Sequence, residues 1–530
     1  MSLLRSFEGK DFSAQKFNFI QSSFKDSYES IISRKGPAPF VKFYRSDSQT
    51  IEKSFEQFDR DVRKVAGNLQ KSYPIGSIIA TLSENSYELM VYICATLMSG
   101  FSFCPLNPND SFERTQEKLT QLGSNVQLIR DLVVPDSDAK DVLFDRDNLP
   151  TPEVFIYIFT SGSTGKSKVV EQLEKGLLSN VEALARHHQL SLDQQTVIAT
   201  PLPLFHVNAL EFSFITALLT GQRLVCYQGF DLLQTLKSLE EDRVEIYSAV
   251  PHVYNLIGMG LKKLKALNIP RFRYFLSAAS PLPLLTLEKF ALEGFRILQG
   301  YGLSEAINFS LTTPPDLSAE KILSLAKAGG RPSAGIPLWG NDVLVLDQGR
   351  PLQEKEEGDI AVRGLNVMRG YKDDLKRDYF QNDYLMTGDR GFFIYDMESQ
   401  RKFLYISGRT KDIVKKYGST LSLVEMDELL LKELPDNSDG ISVGLESLVA
   451  GEDFAFILKG CSKKDAEIMV QKIARTWSRH HKPLLVLITQ SEIRTSSGKP
   501  IRWQFKEICS KVKAPRHNGD ISVILEEEVS

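Results

Sequence analysis

Residues 159–170 read FTSGSTGKSKVV, and no other stretch constrains this chain as tightly. An apolar run, Val154 to Phe159, leads in and reads as a buried strand. Thr160 to Lys168 then holds five hydroxyl side chains, two glycines and two lysines in nine residues. Glycine lets backbone approach a ligand closely, hydroxyls and free N–H groups donate to oxyanions, and lysine adds a point charge. The pattern suits a loop that holds a polyphosphate better than a polar surface turn. It is not a Walker A loop, because Thr160 stands where the first glycine belongs. Ser163 and Lys166 have Ser-x-x-Lys spacing, but the Lys-Thr-Gly companion of a serine acyl-enzyme is missing.

A chain of 530 residues is too long for one typical domain and can bury a large core. Net charge is −3, so no bulk basic field invites nucleic acid or an anionic membrane. Five cysteines form no C-x-x-C pair, which indicates a reducing, cytoplasmic setting. The start, MSLLRSFEGKDF, has no hydrophobic secretory core, and the end, EEEVS, has no prenylation or peroxisomal signal. Leu89 to Asn109 carries no charge, yet Ser99-Gly100 and Pro105 interrupt it. It reads as a buried helix, a glycine stop and a short strand, FSFCPL, rather than a spanning segment.

Strand and helix patterns alternate to about residue 300. Val41 to Tyr44, Ile75 to Leu82, Val126 to Ile129, Val197 to Thr200, Arg223 to Tyr227 and Glu245 to Val250 are strand-like. Ser54 to Leu69, Glu174 to His187 and Glu211 to Leu219 have helical spacing. This is βαβ construction with parallel sheet. From Ala334 short strands separated by turns (Val343 to Leu346, Asp359 to Val362, Phe392 to Tyr395, Phe403 to Ile406) predict an antiparallel, β-barrel-like region. After the charged stretch GRTKDIVKKYG the pattern becomes that of a small α+β unit, with helices Leu423 to Leu434 and Ser462 to His480. The expected fold class is α/β: a large N-terminal domain, 1–408, and a small C-terminal domain, 409–530.

The motifs together resemble the adenylate-forming, AMP-binding superfamily, and acyl-CoA synthetases within it. TSGSTGKSK is similar to its phosphate-binding signature. PLFHVNA at 203–209, YFLSAASPLP at 274–283, QGYGLSEA at 299–306, GDIAVRG at 358–364, YLMTGDRGFF at 384–393, YISGRTKDIV at 405–414 and RTSSGKPIR at 494–502 follow in the family's order. PLNP at 105–108 also resembles its N-terminal region, so the likeness spans roughly 40 to 505.

The resemblance implies an AMP-forming acid–thiol ligase using ATP, Mg²⁺ and CoA on a fatty or aryl carboxylic acid. Thr160, Ser161, Gly162, Ser163, Thr164, Gly165, Lys166 and Lys168 would cradle the β- and γ-phosphates, Ser304 would contact phosphate and Glu305 would hold Mg²⁺. Ala278, Ala279, Gly300, Tyr301 and Gly302 would line the adenine site. Asp389 would accept from the ribose hydroxyls, with Arg409 in support. Lys499 would bridge the carboxylate and the α-phosphate, and His206 would gate or orient the acid. The C-terminal domain would be mobile about a hinge at Lys411, bringing Gly418 to a channel for the thiol.

Some residues depart from the pattern. Ser167 and Val169 stand where the family has proline and glycine, Glu174 where histidine is common, and a double glycine is reduced to Gly418. Histidine in FHVNALEFS, where peptide-synthetase domains carry an amine-gripping aspartate, favours an acid without an α-amino group. Alternatives are a fatty acyl-AMP ligase or adenylation enzyme that loads an acyl or peptidyl carrier protein, a luciferase-like oxygenase, and a silent nucleotide-binding homologue. His188 and Asp193 have the spacing of a glycerolipid acyltransferase motif.

Overall fold

The computed structural model describes residues 4–5, 18–47, 49–135, 149–160, 167–374, 378–409, 412–416, 419–435, 438–447, 451–495, 498–512 and 521–528. Four sheets organise them. The largest has nine strands, in the order Ile336–Pro337, Phe309–Thr312, Ile297–Gly302, Tyr274–Ser277, Ile246–Ala249, Val197–Thr200, Arg223–Tyr227, Pro39–Tyr44 and Thr50–Ser54. Its six central strands, from Ile297–Gly302 to Pro39–Tyr44, run parallel. Their near-continuous apolar sequences fit a sheet covered on both faces: Tyr274–Ser277, Ile246–Ala249 and Val197–Thr200 are buried along their whole length.

A second sheet, of six strands, contains Ile156–Phe159 and Val169–Gln172 as an antiparallel pair, with Phe159 opposite Val169. The glycine-rich stretch therefore joins two hairpin strands, unlike a strand-to-helix Walker loop. The Thr160 N–H donates to the Lys168 carbonyl at 2.9 Å and closes its base. The third sheet is antiparallel, built on Asn341–Asp347, Gly358–Gly364, Tyr384–Asp396 and Arg401–Arg409. Its strands are longer than the turn spacing predicts. The fourth, within 413–525, centres on Gly451–Lys459 and has separate apolar clusters on its two faces.

The architecture is the expected α/β class, with a large N-terminal part and a small α+β sheet after residue 412. One helix differs in kind. The segment expected as a helix over Glu211 to Leu219 is a π-helix over Asn208–Thr216 that ends in a short α-helical turn, Ala217–Leu219. All nine residues of the π-helix are buried. Among the described residues, no helix is long and apolar enough to cross a membrane. The uncharged stretch near 90 is a helix, Tyr87–Met98, and a strand, Ser102–Leu106. All five cysteines are buried free thiols.

Two departures have structural explanations. Val169 is a buried strand residue packed beside Ile78, Ala80 and Cys104. The Glu174 carboxylate accepts the Phe24 backbone N–H at 2.8 Å, tying the helix Phe24–Lys35 to the start of Glu174–His187. His188 and Asp193 do not form an acyltransferase pair. His188 is buried, with Nδ1 2.9 Å from the Tyr274 hydroxyl, whereas Asp193 is exposed and pairs with Arg34.

Candidate active site

Three motif segments leave the carboxyl ends of parallel strands of the nine-stranded sheet. Pro201 to His206 follows Val197–Thr200, Ala278 to Pro283 follows Tyr274–Ser277, and Leu303 to Ala306 follows Ile297–Gly302. Ligands of open α/β sheets bind at that end, because the loops there converge on one crevice. The antiparallel sheet supplies the fourth wall. Asp389 and Arg409 lie opposite each other on Tyr384–Asp396 and Arg401–Arg409.

Asp389 ties these walls together. Its Oδ2 accepts the Tyr301 hydroxyl at 2.6 Å and its Oδ1 accepts Arg409 Nε at 3.1 Å. Burial, with the Asp389 charge beside it, raises the Tyr301 phenol well above its ordinary pKa. Asp389 likewise holds the Arg409 guanidinium more firmly protonated than usual. The two bonds fix the Asp389 carboxylate in one orientation, as a group that accepts from ligand hydroxyls requires.

Glu305 lies on a short 3-10 turn, Ser304–Ala306. Its Oε1 accepts the Tyr371 hydroxyl at 2.7 Å, and Lys168 Nζ sits 4.3 Å from the centre of the same Tyr371 ring. Tyr371 thus connects the base of the glycine-rich stretch to Glu305. The sequence gives no sign of this, because a Gly-Tyr pair in a turn-rich region carries no signal by itself. Gln172 donates to the Ser304 carbonyl, and Arg114 reaches Ser167 Oγ at 3.4 Å. Ser161, Gly162, Ser163, Thr164, Gly165 and Lys166 lie outside the described residues, as do Lys411 and Gly418.

The resemblance implies that Gly300 and Gly302 leave room for a base. The close approach they permit is to the chain itself. A Cβ on Gly302 would overlap the Asn308 carbonyl oxygen, and one on Gly300 would strike the Phe309 ring at 2.6 Å. Ala278 is buried, whereas Ala279 is exposed and sits at φ +72°, a left-handed conformation that a side chain strains.

Lys499 stands on a tight hairpin. Its N–H donates to Thr495 Oγ1 at 3.1 Å, its carbonyl accepts the Thr495 N–H at 2.8 Å, and Arg494 bridges Pro500. Gly498 turns the chain at φ +78°, and a Cβ there would lie 3.5 Å from Ser280 Oγ. The hairpin therefore abuts the Ala278 to Pro283 loop. Burial and then Arg409 push the Lys499 ammonium below its ordinary pKa, while Glu305 and Asp389 draw it back up. His206 is driven down to about 3, first by burial, then by Lys499 and Lys118. It is a neutral imidazole at pH 7 and a weak base. His206, Glu305, Asp389, Arg409 and Lys499, scattered over some 290 residues of sequence, thus form one electrostatic group.

Comparison with known proteins agrees with this arrangement. The chain is 25% identical over 474 residues to the 2-succinylbenzoate–CoA ligase of Bacillus velezensis, covering 86% of this chain and 93% of that one. It is 26% identical over 501 residues to the long-chain-fatty-acid–CoA ligase FadD13 of Mycobacterium tuberculosis, covering 89% and 96%. In fold it is similar to o-succinylbenzoate CoA synthetase from Bacillus subtilis, solved with its acyl-adenylate intermediate (TM-score 0.73, 23% identity, 91% of this chain and 97% of that one). It is also similar to McyG A-PCP complexed with phenylalanyl-adenylate (TM-score 0.80, 18% identity, 94% and 84%). Residues 32–372 match the AMP-binding enzyme family, and the chain belongs to that family.

Proposed function

We propose that the protein activates a carboxylic acid with ATP, releasing pyrophosphate, and transfers the acyl group from the acyl-AMP to CoA. The observation that carries this reading is the convergence on Lys499. A cation from residue 499 lies in the field of Asp389, Glu305 and Arg409, and its own charge reaches His206. That set suits a reaction in which one anion attacks another: the acid's carboxylate attacks the α-phosphorus, and the bond from that phosphorus to the pyrophosphate oxygen breaks. Two negative groups must be drawn together, and the protein's work is positioning and charge stabilisation.

In this reading Lys499 Nζ bridges the carboxylate and the α-phosphate. Asp389 accepts from the ribose, with Arg409 and Tyr301 fixing its orientation. Lys168 adds positive charge at the β- and γ-phosphates, which Thr160 and the glycine-rich stretch cradle. His206, neutral, orients the acid by hydrogen bonding. Ser304 contacts phosphate, and Glu305 would hold Mg²⁺, which supplies charge neutralisation at the phosphates when bound. The donor set is suitable. Among the described residues there is no cluster of three or more metal-ligating side chains, and magnesium needs only one or two carboxylates when phosphate oxygens complete its shell. In the second step the thiol sulfur attacks the acyl carbon and the carbon–oxygen bond to AMP breaks. Residues 409–530 act there as a mobile unit hinged at Lys411, with Gly418 beside the thiol.

Both acid–CoA ligase relatives support a CoA acceptor, and their acids differ widely, from an aromatic dicarboxylate to a long-chain fatty acid. A fatty or aryl acid is the proposed substrate class. The test is pyrophosphate release over a panel of aliphatic and aryl acids, with and without CoA. Acid-dependent release with CoA-dependent thioester formation is the expected result. Release without thioester would redirect the acyl group to a carrier protein, and no release with any acid would defeat the ligase reading.

A further inference from the structure

The turn that bears Ser304 and Glu305 is strained. Ile307, directly after it, sits at φ +63° and ψ −57°, and the Asn308 N–H donates back to the Ala306 carbonyl at 2.7 Å. This is a γ-turn of the positive-φ kind, rare for any L-residue and rarer for a buried β-branched one. Such a conformation is unfavourable and persists only where its surroundings enforce it.

Four contacts from outside the turn do so. Gln172 donates to the Ser304 carbonyl, the Met368 N–H to the Glu305 carbonyl at 2.7 Å, and Asn366 Nδ2 to the Ala306 carbonyl at 3.0 Å. The fourth comes from the π-helix: Glu211 Oε2 accepts Asn308 Nδ2 at 2.7 Å. Glu211 is 1% exposed. Its other oxygen accepts the Thr216 hydroxyl at 3.4 Å, five residues on, a spacing that the π-helical turn brings onto one side. No cation is among the groups that act on it; burial dominates, and Asn308 and Thr216 oppose it. A buried carboxyl with neutral partners alone is expensive to keep. The same helix follows His206, whose carbonyl accepts the Leu210 N–H at 3.0 Å.

We propose that Glu211 is a positioning residue: by fixing Asn308 it holds the Ser304–Glu305 turn in its strained geometry, and it links the helix behind His206 to the phosphate and metal end of the site. This rests on the reading of Ser304 and Glu305 given above. The link gives the π-helix a purpose, since an ordinary α-helical turn would not put residues 211 and 216 on the same side.

The test uses the full-length protein and titration calorimetry of ATP, with Mg²⁺ and in EDTA. Glu211→Leu and Asn308→Ala each remove one end of the link, and Glu211→Gln keeps the acceptor. The expected result is an about tenfold loss of Mg²⁺-dependent ATP affinity in each single variant, with ATP binding in EDTA little changed. The double variant should lose no more than either single one, and Glu211→Gln should stay within about threefold of wild type. A merely structural role lowers the melting temperature without touching the Mg²⁺-dependent increment. Wild-type Mg²⁺·ATP affinity in folded Asn308→Ala, or fully additive losses in the double variant, would overturn the proposal; Asn308→Ala decides it alone if Glu211→Leu does not fold. Pyrophosphate release by the wild type, measured in parallel, reports separately on the ligase reading.

Discussion

Replacing Lys499 with alanine should cripple acyl-AMP formation and leave acyl-AMP consumption largely intact. A unit charge about 4 Å from another is worth about 4 kcal/mol at an effective dielectric of 20. Lys499 is half-buried and its hairpin abuts the Ala278 to Pro283 loop, so the screened value for an exposed lysine does not apply. Part of that energy binds ground state and transition state alike and does not accelerate the reaction. The expected loss in kcat for adenylation is therefore about 10²–10³-fold, comparable to deleting one preorganised donor to a developing charge. The assay is ATP–pyrophosphate exchange for the first half-reaction and thioester formation from supplied acyl-AMP for the second. The pH dependence carries the same signature. Burial and Arg409 depress the Lys499 pKa, so the charged form is the one lost on raising the pH, and adenylation should decline at a lower pH than an ordinary lysine's 10.5 would dictate. In Lys499→Ala that limb should vanish. Equal losses in both half-reactions, or a loss under about tenfold in the first, would refute the bridging role.

Glu305→Gln should raise the Mg²⁺ requirement, and Lys168→Ala should chiefly raise KM for ATP; wild-type kinetics for both across a magnesium titration would remove the phosphate-site assignment. Ala279→Gly should stabilise the fold by up to about 1 kcal/mol, since relief of the left-handed alanine outweighs the added freedom of glycine in the unfolded chain. Calorimetry should show a small rise in Tm, and a fall would contradict the strain. Glu211 is pushed up to about 8 by burial. Below the unfolded-state value of 4.5 both states are protonated; between 4.5 and 8 only the unfolded state ionises, so stability falls as pH rises through that window. Glu211→Gln should flatten this slope, gaining more stability at pH 8 than at pH 5 in denaturant melts, and an unchanged slope would mean that Glu211 does not titrate there.

Most of the strand–helix alternation to about residue 300, the antiparallel sheet built after Ala334 and the positions of the motifs were legible in the chain, whereas the strands Thr50–Ser54, Val169–Gln172 and Phe309–Thr312 were not. Each legible feature depends on local period, on turn residues, or on a short run of residues whose chemistry is set by type. The strand before the glycine-rich stretch is an example: Ile156–Phe159 is apolar and bounded by turn residues whatever the rest of the chain does. What only the tertiary structure decided are the pairings. Tyr371 meets Glu305 across 66 residues, Glu211 meets Asn308 across 97, and Glu174 meets the Phe24 backbone across 150. Asp389 faces Arg409 through a strand register that shifts between Arg390 and Gly391, an irregularity that alternation of side chains does not encode. The π-helix is of the same kind. NALEFSFIT is buried on every side, so its sequence has no polar face from which to read a period. The wider turn is selected by packing and by the bond from Glu211 to Asn308, which exist only once the parallel sheet has brought the two segments together.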